Sequence, residues 1–197
     1  MQYNNFQHKF IKEKHMNKIL SLVALSLMTT TAFAQKDINY NYLEFGYDYV
    51  DISGSNHLDG FYLDAGFDLT DRIYMGAYYS NLSSHGPDID RYGLSVGFHS
   101  NTGSDTDFYA EFDLGQIDNR FGDSLTYGLN FGTRTAFTSS FELITKAGYT
   151  EIDDYNDGYF EAGIKGLFKF SSSTAITAGV QSLDGDLGAN VGFRFSF

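Results

Sequence analysis

Side chains able to do chemistry are few in type after residue 34. Three histidines, His57, His85 and His99, stand among 24 carboxylates and nine Lys or Arg. His57 lies two residues from Asp59, and His85 lies close to Asp88 and Asp90. A histidine within hydrogen-bond reach of an oriented carboxylate can act as a general base. Hydrolysis or acyl transfer would be the corresponding chemistry. Asp-rich segments create such neighbours by chance, so no enzyme is expected, and a hydrolase or acyltransferase is kept as an alternative. Asp153, Asp154 and Asp157, and the pair Asp184 and Asp186, offer hard oxygens suited to Ca²⁺ or Mg²⁺. None follows a calcium-loop spacing, so no metal or cofactor is expected. Cysteine is absent, which excludes a disulfide framework and a thiolate metal site.

A second set of charges is organised by position rather than by clustering. Glu44, Asp48, Asp64, Asp68, Glu111, Asp113, Glu142 and Glu161, with Arg134, Lys146, Lys165 and Arg194, all fall on alternate residues. The same rows carry Gly46, Gly66, Gly93, Gly97, Gly115, Gly128, Gly132, Gly148, Gly163 and Gly192. The rows between them are apolar: Leu43/Phe45/Tyr47/Tyr49, Phe61/Leu63/Ala65/Phe67/Leu69, Tyr92/Leu94/Val96/Phe98 and Phe141/Leu143/Thr145/Ala147/Tyr149 are examples. Such a period of two is the signature of strands.

Ten runs cover 38–53, 56–70, 72–83, 88–100, 105–120, 123–137, 141–155, 157–171, 173–184 and 186–197. In the third run Tyr74 and Tyr78 compete with the Ile73/Met75 row for the apolar face. The single proline, 21 glycines and 34 Tyr and Phe suit long strands joined by tight turns.

The N-terminus has a different pattern. Residues 16–34 read MNKILSLVALSLMTTTAFA: a positive start at Lys18, an apolar stretch over Ile19 to Met28, and a small-x-small end at Ala32-Phe33-Ala34. That is the layout of a secretory signal peptide cleaved after Ala34. Met16 is read as the initiator, with a genuine longer leader over 1–15 as the alternative. The division is therefore 1–34 leader, with the signal proper at 16–34, and 35–197 a single domain. Without residues 1–34 the net charge is −15. An acidic chain of this kind is not expected to bind nucleic acid.

Alternation does not say which face is outside. Export, an even strand count and glycine on the polar face argue for an apolar exterior, because glycine in a narrow lumen leaves room for larger side chains. No run puts a charge in mid-strand on its apolar face, where Lys or Arg would cost about 2–4 kcal/mol at a bilayer midplane. Tyr49, Tyr79, Tyr92, Tyr127 and Tyr149 sort to one predicted rim. Phe67, Phe98, Phe108, Phe137, Phe141 and Phe170 sort to the other, as two aromatic girdles would. The expected fold is all-β: a closed, antiparallel, up-and-down transmembrane β-barrel of ten strands, since unpaired backbone groups in hydrocarbon force closure.

The leader ending AFA, the two-residue repeat over 38–197 and the terminal VGFRFSF resemble small bacterial outer-membrane β-barrels of the porin-like and OmpX-like superfamily. The blocks NYNYLEFGYDYVD, YGLSVGF and DGYFEAGIKG are also similar to a family of small outer-membrane proteins linked to quorum sensing. The superfamily resemblance implies residence in the cell outer membrane of a Gram-negative bacterium, among lipid and lipopolysaccharide. It also implies that Val191, Phe193, Phe195 and Phe197 form the signal read by the barrel-assembly machinery.

Three functions follow as expectations. The first is a structural or surface-interacting barrel, monomeric, with short acidic outer loops and a mostly filled, charged lumen. The second is a small cation-preferring porin, because inward acids outnumber inward bases eight to four. The third is a hydrolase or acyltransferase at the outer rim.

Overall fold

The structure, a computed structural model, describes residues 38–52, 57–84, 88–101, 105–120, 122–153 and 157–197. The leader, including Ala32 and Ala34, lies outside them. Ten strands follow in order: β1 (Tyr42–Asp51), β2 (His57–Asp68), β3 (Ile73–Ser83), β4 (Ile89–Asn101), β5 (Thr106–Asn119), β6 (Gly122–Thr138), β7 (Phe141–Ile152), β8 (Asp157–Lys169), β9 (Thr174–Leu183) and β10 (Asp186–Ser196). Each pairs antiparallel with its sequence neighbour, and β1 pairs with β10 from Tyr42↔Ser196 to Asp51↔Leu187. The ring is closed, so no strand edge is left without backbone partners. Strands of 10 to 17 residues exceed the roughly 9–11 needed to cross a bilayer.

The side chains are inverted relative to a soluble protein. Phe160 is 64% exposed and Leu94 57%, whereas Glu44 and Glu142 are fully buried. Apolar rows face outward and charged rows face the lumen, as a transmembrane barrel requires. On β3, Ile73 and Met75 face outward and Tyr74 is buried inside. Thr145, in the outward row of β7, is not a bare polar group in lipid. Its hydroxyl lies 2.8 Å from that of Thr133, directly opposite on β6, so the two satisfy each other.

Lumen glycines make room for rings. Tyr62 lies across Gly46 and Gly192, Tyr74 across Gly97, Tyr109 against Gly132, and the Tyr78 hydroxyl between Gly93 and Gly115. A Cβ on any of these glycines would strike a ring or its hydroxyl. On the outer wall, Gly166 is covered by Phe141 and Phe168, whose rings pack at 5.0 Å. The β9–β10 hairpin closes through Asp184 (φ 49°) and Gly185 (φ 102°), the positive pair that a tight two-residue turn requires.

The first expected run, 38–53, is shorter as a strand. The Asn39 side chain accepts from the Asn41 amide at 2.7 Å, a local turn that competes with strand extension. Residues 38–41 therefore enter the mouth of the barrel instead of prolonging β1.

Candidate functional site: a charged lumen in two halves

The end that holds the start of β1 and the close of β10 is here the inner end. Moving from it, the first layer is the mouth. Tyr40 is buried there, stacked on His99 at 4.2 Å and tilted against Tyr74 at 4.7 Å. The Arg134 guanidinium covers the Tyr40 ring at 4.3 Å and donates through Nη1 to the Asn39 carbonyl at 3.0 Å. Asn41 and Asp68 exchange two hydrogen bonds, Nδ2 to Oδ2 at 3.3 Å and the Asp68 amide to Oδ1 at 2.9 Å. His99 stands between Asp68 at 3.4 Å and Asp107 at 3.3 Å.

The second layer is built on two buried glutamates. Arg194 sits directly opposite Glu44 across the β1–β10 pairing. Its Nε and Nη2 both reach Glu44 Oε2 at 2.6 Å. The other oxygen, Oε1, accepts from Lys165 Nζ at 2.8 Å, the Tyr62 hydroxyl at 2.7 Å and Thr177 Oγ1 at 3.1 Å. Five donors on one carboxylate offset the cost of taking it out of water. Glu142 is held likewise: Arg134 Nε and Nη2 reach Oε1 at 2.7 and 2.6 Å, and Lys169 Nζ reaches Oε2 at 2.7 Å. Tyrosine faces complete the layer, with Arg194 over Tyr42 at 3.8 Å and Lys165 over Tyr62 at 5.3 Å.

Outward of this floor is a cavity of about 300 Å³. Asp48, Asp64, Glu111 and Asp113 line it, and among the described residues none has a cation within 4 Å. Their partners are neutral. Tyr42 donates to Asp64 at 3.2 Å, Ser95 donates to Glu111 at 3.2 Å, Asn130 donates to Asp113, and Asn190 is the cross-strand neighbour of Asp48. Lys146 pairs with Glu161 at 2.9 Å. Arg91 meets two aromatic faces instead of a carboxylate, Tyr78 at 6.0 Å and Tyr159 at 5.7 Å.

The twelve charges expected inside thus separate. Glu44, Glu142, Arg134, Lys165 and Arg194 are drawn into the floor. Asp68 turns to the inner mouth. Lys146 and Glu161 pair in the cavity wall, and Asp48, Asp64, Glu111 and Asp113 remain without counter-charge. Arg91, Lys169 and Tyr40 also belong to this interior and were not among the twelve. Arg91 shares the parity of Gly93, and Lys169 that of Lys165, so both were legible as inward-facing. The entry of Tyr40 has no period-two signal.

At the outer rim, His57 and Asp59 belong to β2 rather than to a loop. They lie 3.4 Å apart, with Tyr49 stacked on the imidazole at 5.3 Å. The rim carboxylates are engaged by tyrosine hydroxyls: Tyr47 to Asp59, Tyr79 to Asp90 at 2.6 Å and Tyr149 to Glu151 at 2.9 Å. His85 and Asp154 lie outside the described residues. Among the described residues no three His, Asp or Glu side chains gather as a metal cage.

No family model matches the sequence, and no curated protein matches it significantly. Among solved structures the chain is similar to the KdgM porin, at 12% identity and a TM-score of 0.48, covering 79% of this chain and 99% of that one. It is similar to the NanC porin at 8% identity and 0.46, covering 79% and 100%. Neisserial surface protein A matches at 15% identity and 0.40, covering 79% and 96%. The architecture of this chain rests on its own ring of strand pairs.

Proposed function

We propose that the chain is an outer-membrane barrel with a lumen closed in its inner half, acting as a structural or surface-interacting element and not as an enzyme. The observation that carries this reading is the floor itself. Glu44 and Glu142, with the four cations and the tyrosines packed on them, fill the inner lumen side chain to side chain. Small barrels are commonly filled in this way. On this reading the leader is cleaved after Ala34, the apolar wall meets outer-membrane lipid and lipopolysaccharide, and the barrel works as a monomer. The tyrosine–carboxylate pairs of the outer rim are the chemistry it offers to its surroundings.

A specific observation favours a second reading, a small cation-preferring porin. The four carboxylates without counter-charge give the outer lumen an acidic lining, the sign that attracts cations. Single-channel recording in a planar bilayer separates the two. A flat baseline from protein shown to be inserted is expected of the closed barrel; a steady cation-selective conductance would replace it with the porin. Replacing His57 should leave the lipid A profile and surface proteolysis unchanged.

A further inference from the structure

We propose that the outer cavity binds a small hydroxylated organic ammonium compound, of amino-sugar or amino-alcohol type, with its ammonium group between Glu111 and Asp113 and its hydroxyls on Arg91. This goes beyond the closed-barrel reading, because a chamber above a floor can hold a solute whether or not the floor ever opens.

The charge inside the chamber selects the sign of the ligand. Lys146 is spent on Glu161, and Arg134, Arg194 and Lys165 are spent on the floor glutamates. Arg91 alone then faces four carboxylates. Acids walled in by a sheet and lacking counter-ions focus a negative potential and draw a cation. Their distribution selects against a bare metal ion. Asp48 stands on β1 and Asp113 on β5, four strands round the ring, and no three acids gather into a cage. A ligand that spreads its polar groups over a molecular frame fits better.

Two deeply buried side chains that line this cavity add an independent observation. The Tyr40 hydroxyl and Arg194 Nη1 have no partner among the described residues, and Tyr40 and Arg194 are 3% and 2% exposed. A hydroxyl can accept from an ammonium, while guanidinium donors on Arg194 and Arg91 ask for lone pairs. Ligand hydroxyls supply these lone pairs without adding a charge that the carboxylates would repel. The Tyr62, Tyr78 and Tyr109 rings give apolar and cation-attracting faces. About 300 Å³ stands at the small end of ligand sites, which run from about 300 to 1,000 Å³.

The test uses the chain refolded in detergent micelles, its folded state checked by the mobility change on boiling in SDS. Glucosamine is the probe, titrated by calorimetry, with glucose, glucuronate and Mg²⁺ as comparators. Saturable binding of glucosamine is expected, at least about tenfold tighter than glucose, the effect of one charge-assisted contact. Asp113→Asn and Glu111→Gln should each weaken it by about tenfold, and Asp48→Asn serves if either fails to fold. The proposal is overturned by an absence of saturable glucosamine binding. Glucuronate binding as tightly, Mg²⁺ competing at equal concentration, or folded variants that bind unchanged would also overturn it.

Discussion

The two halves of this lumen use the same residue types and reach opposite solutions. In the inner half, each buried glutamate is surrounded by cations, hydroxyls and tyrosine faces until its polar capacity is used. In the outer half, four carboxylates stand around a cavity with only neutral donors beside them. Both halves are rows of alternating residues on the same ten strands, so backbone geometry does not separate them. Side-chain volume and pairing do. The floor gathers the long cations and the bulky rings, while the chamber keeps glycines next to its acids, as with Gly128 beside Asp113. One half therefore stores stability and the other stores unbalanced charge.

That difference is sharpest in Glu44→Gln against Asp113→Asn. The first leaves Arg194 and Lys165 buried without their counter-charge, a change that typically costs about 3–5 kcal/mol. The second removes a charge that has no cation, and should change stability by less than about 0.5 kcal/mol. Urea unfolding of the refolded barrel, followed by tyrosine fluorescence in a chain without tryptophan, measures both. Similar costs for the two would dissolve the division into a paired floor and an unpaired chamber.

A smaller contrast comes from packing. In Gly97→Ala the new Cβ falls within the Tyr74 ring, which has the buried Tyr40 behind it. Overpacking of this kind costs about 1–3 kcal/mol. In Gly128→Ala the nearest atoms are Asp113 Oδ2 at 3.0 Å and Thr150 Oγ1 at 3.2 Å. Those side chains border the cavity and can shift by tenths of an ångström, so a cost below about 1 kcal/mol is expected. The same unfolding assay decides whether the floor is the more tightly packed half.

The sequence carried the barrel well and the floor only partly. Period-two alternation located all ten strands, because a side chain's face is fixed by parity alone. Parity also told which charges point inward, Arg91 included. It could not tell which of them meet, because that depends on the register of ten strands and on their depth along the axis. Glu44 is bonded to Lys165, 121 residues away, and to Arg194, 150 residues away. The stopper at the inner mouth was hidden for another reason. Asn39 and Asn41 stand in a segment that alternates like a strand, and only the Asn39 turn diverts it inward. The chamber was hidden as well, since a cavity is defined by the volume left over after packing.

The smallest expected change in stability is at the chain's end. Phe197 is 70% exposed on the outer wall, and its backbone does what holds it in place: its amide donates to the Asn41 carbonyl and its own carbonyl accepts from Asn39 Nδ2, both at 3.2 Å. In Phe197→Ala those bonds persist, and the ring leaves a surface that faces lipid in any case. A loss below about 1 kcal/mol is expected in urea unfolding, far less than for Glu44→Gln. Delivery is a separate quantity. If Phe197, with Phe195, Phe193 and Val191, is what the assembly machinery reads, the variant should refold normally in detergent and still accumulate poorly in the outer membrane. Quantifying both on one variant separates a rim aromatic from a sorting signal. Normal membrane levels would leave Phe197 as lipid-facing surface alone. A folding defect as large as that of the floor variants would instead tie the terminal residue to the inner stopper, through the two bonds it makes with residues 39 and 41.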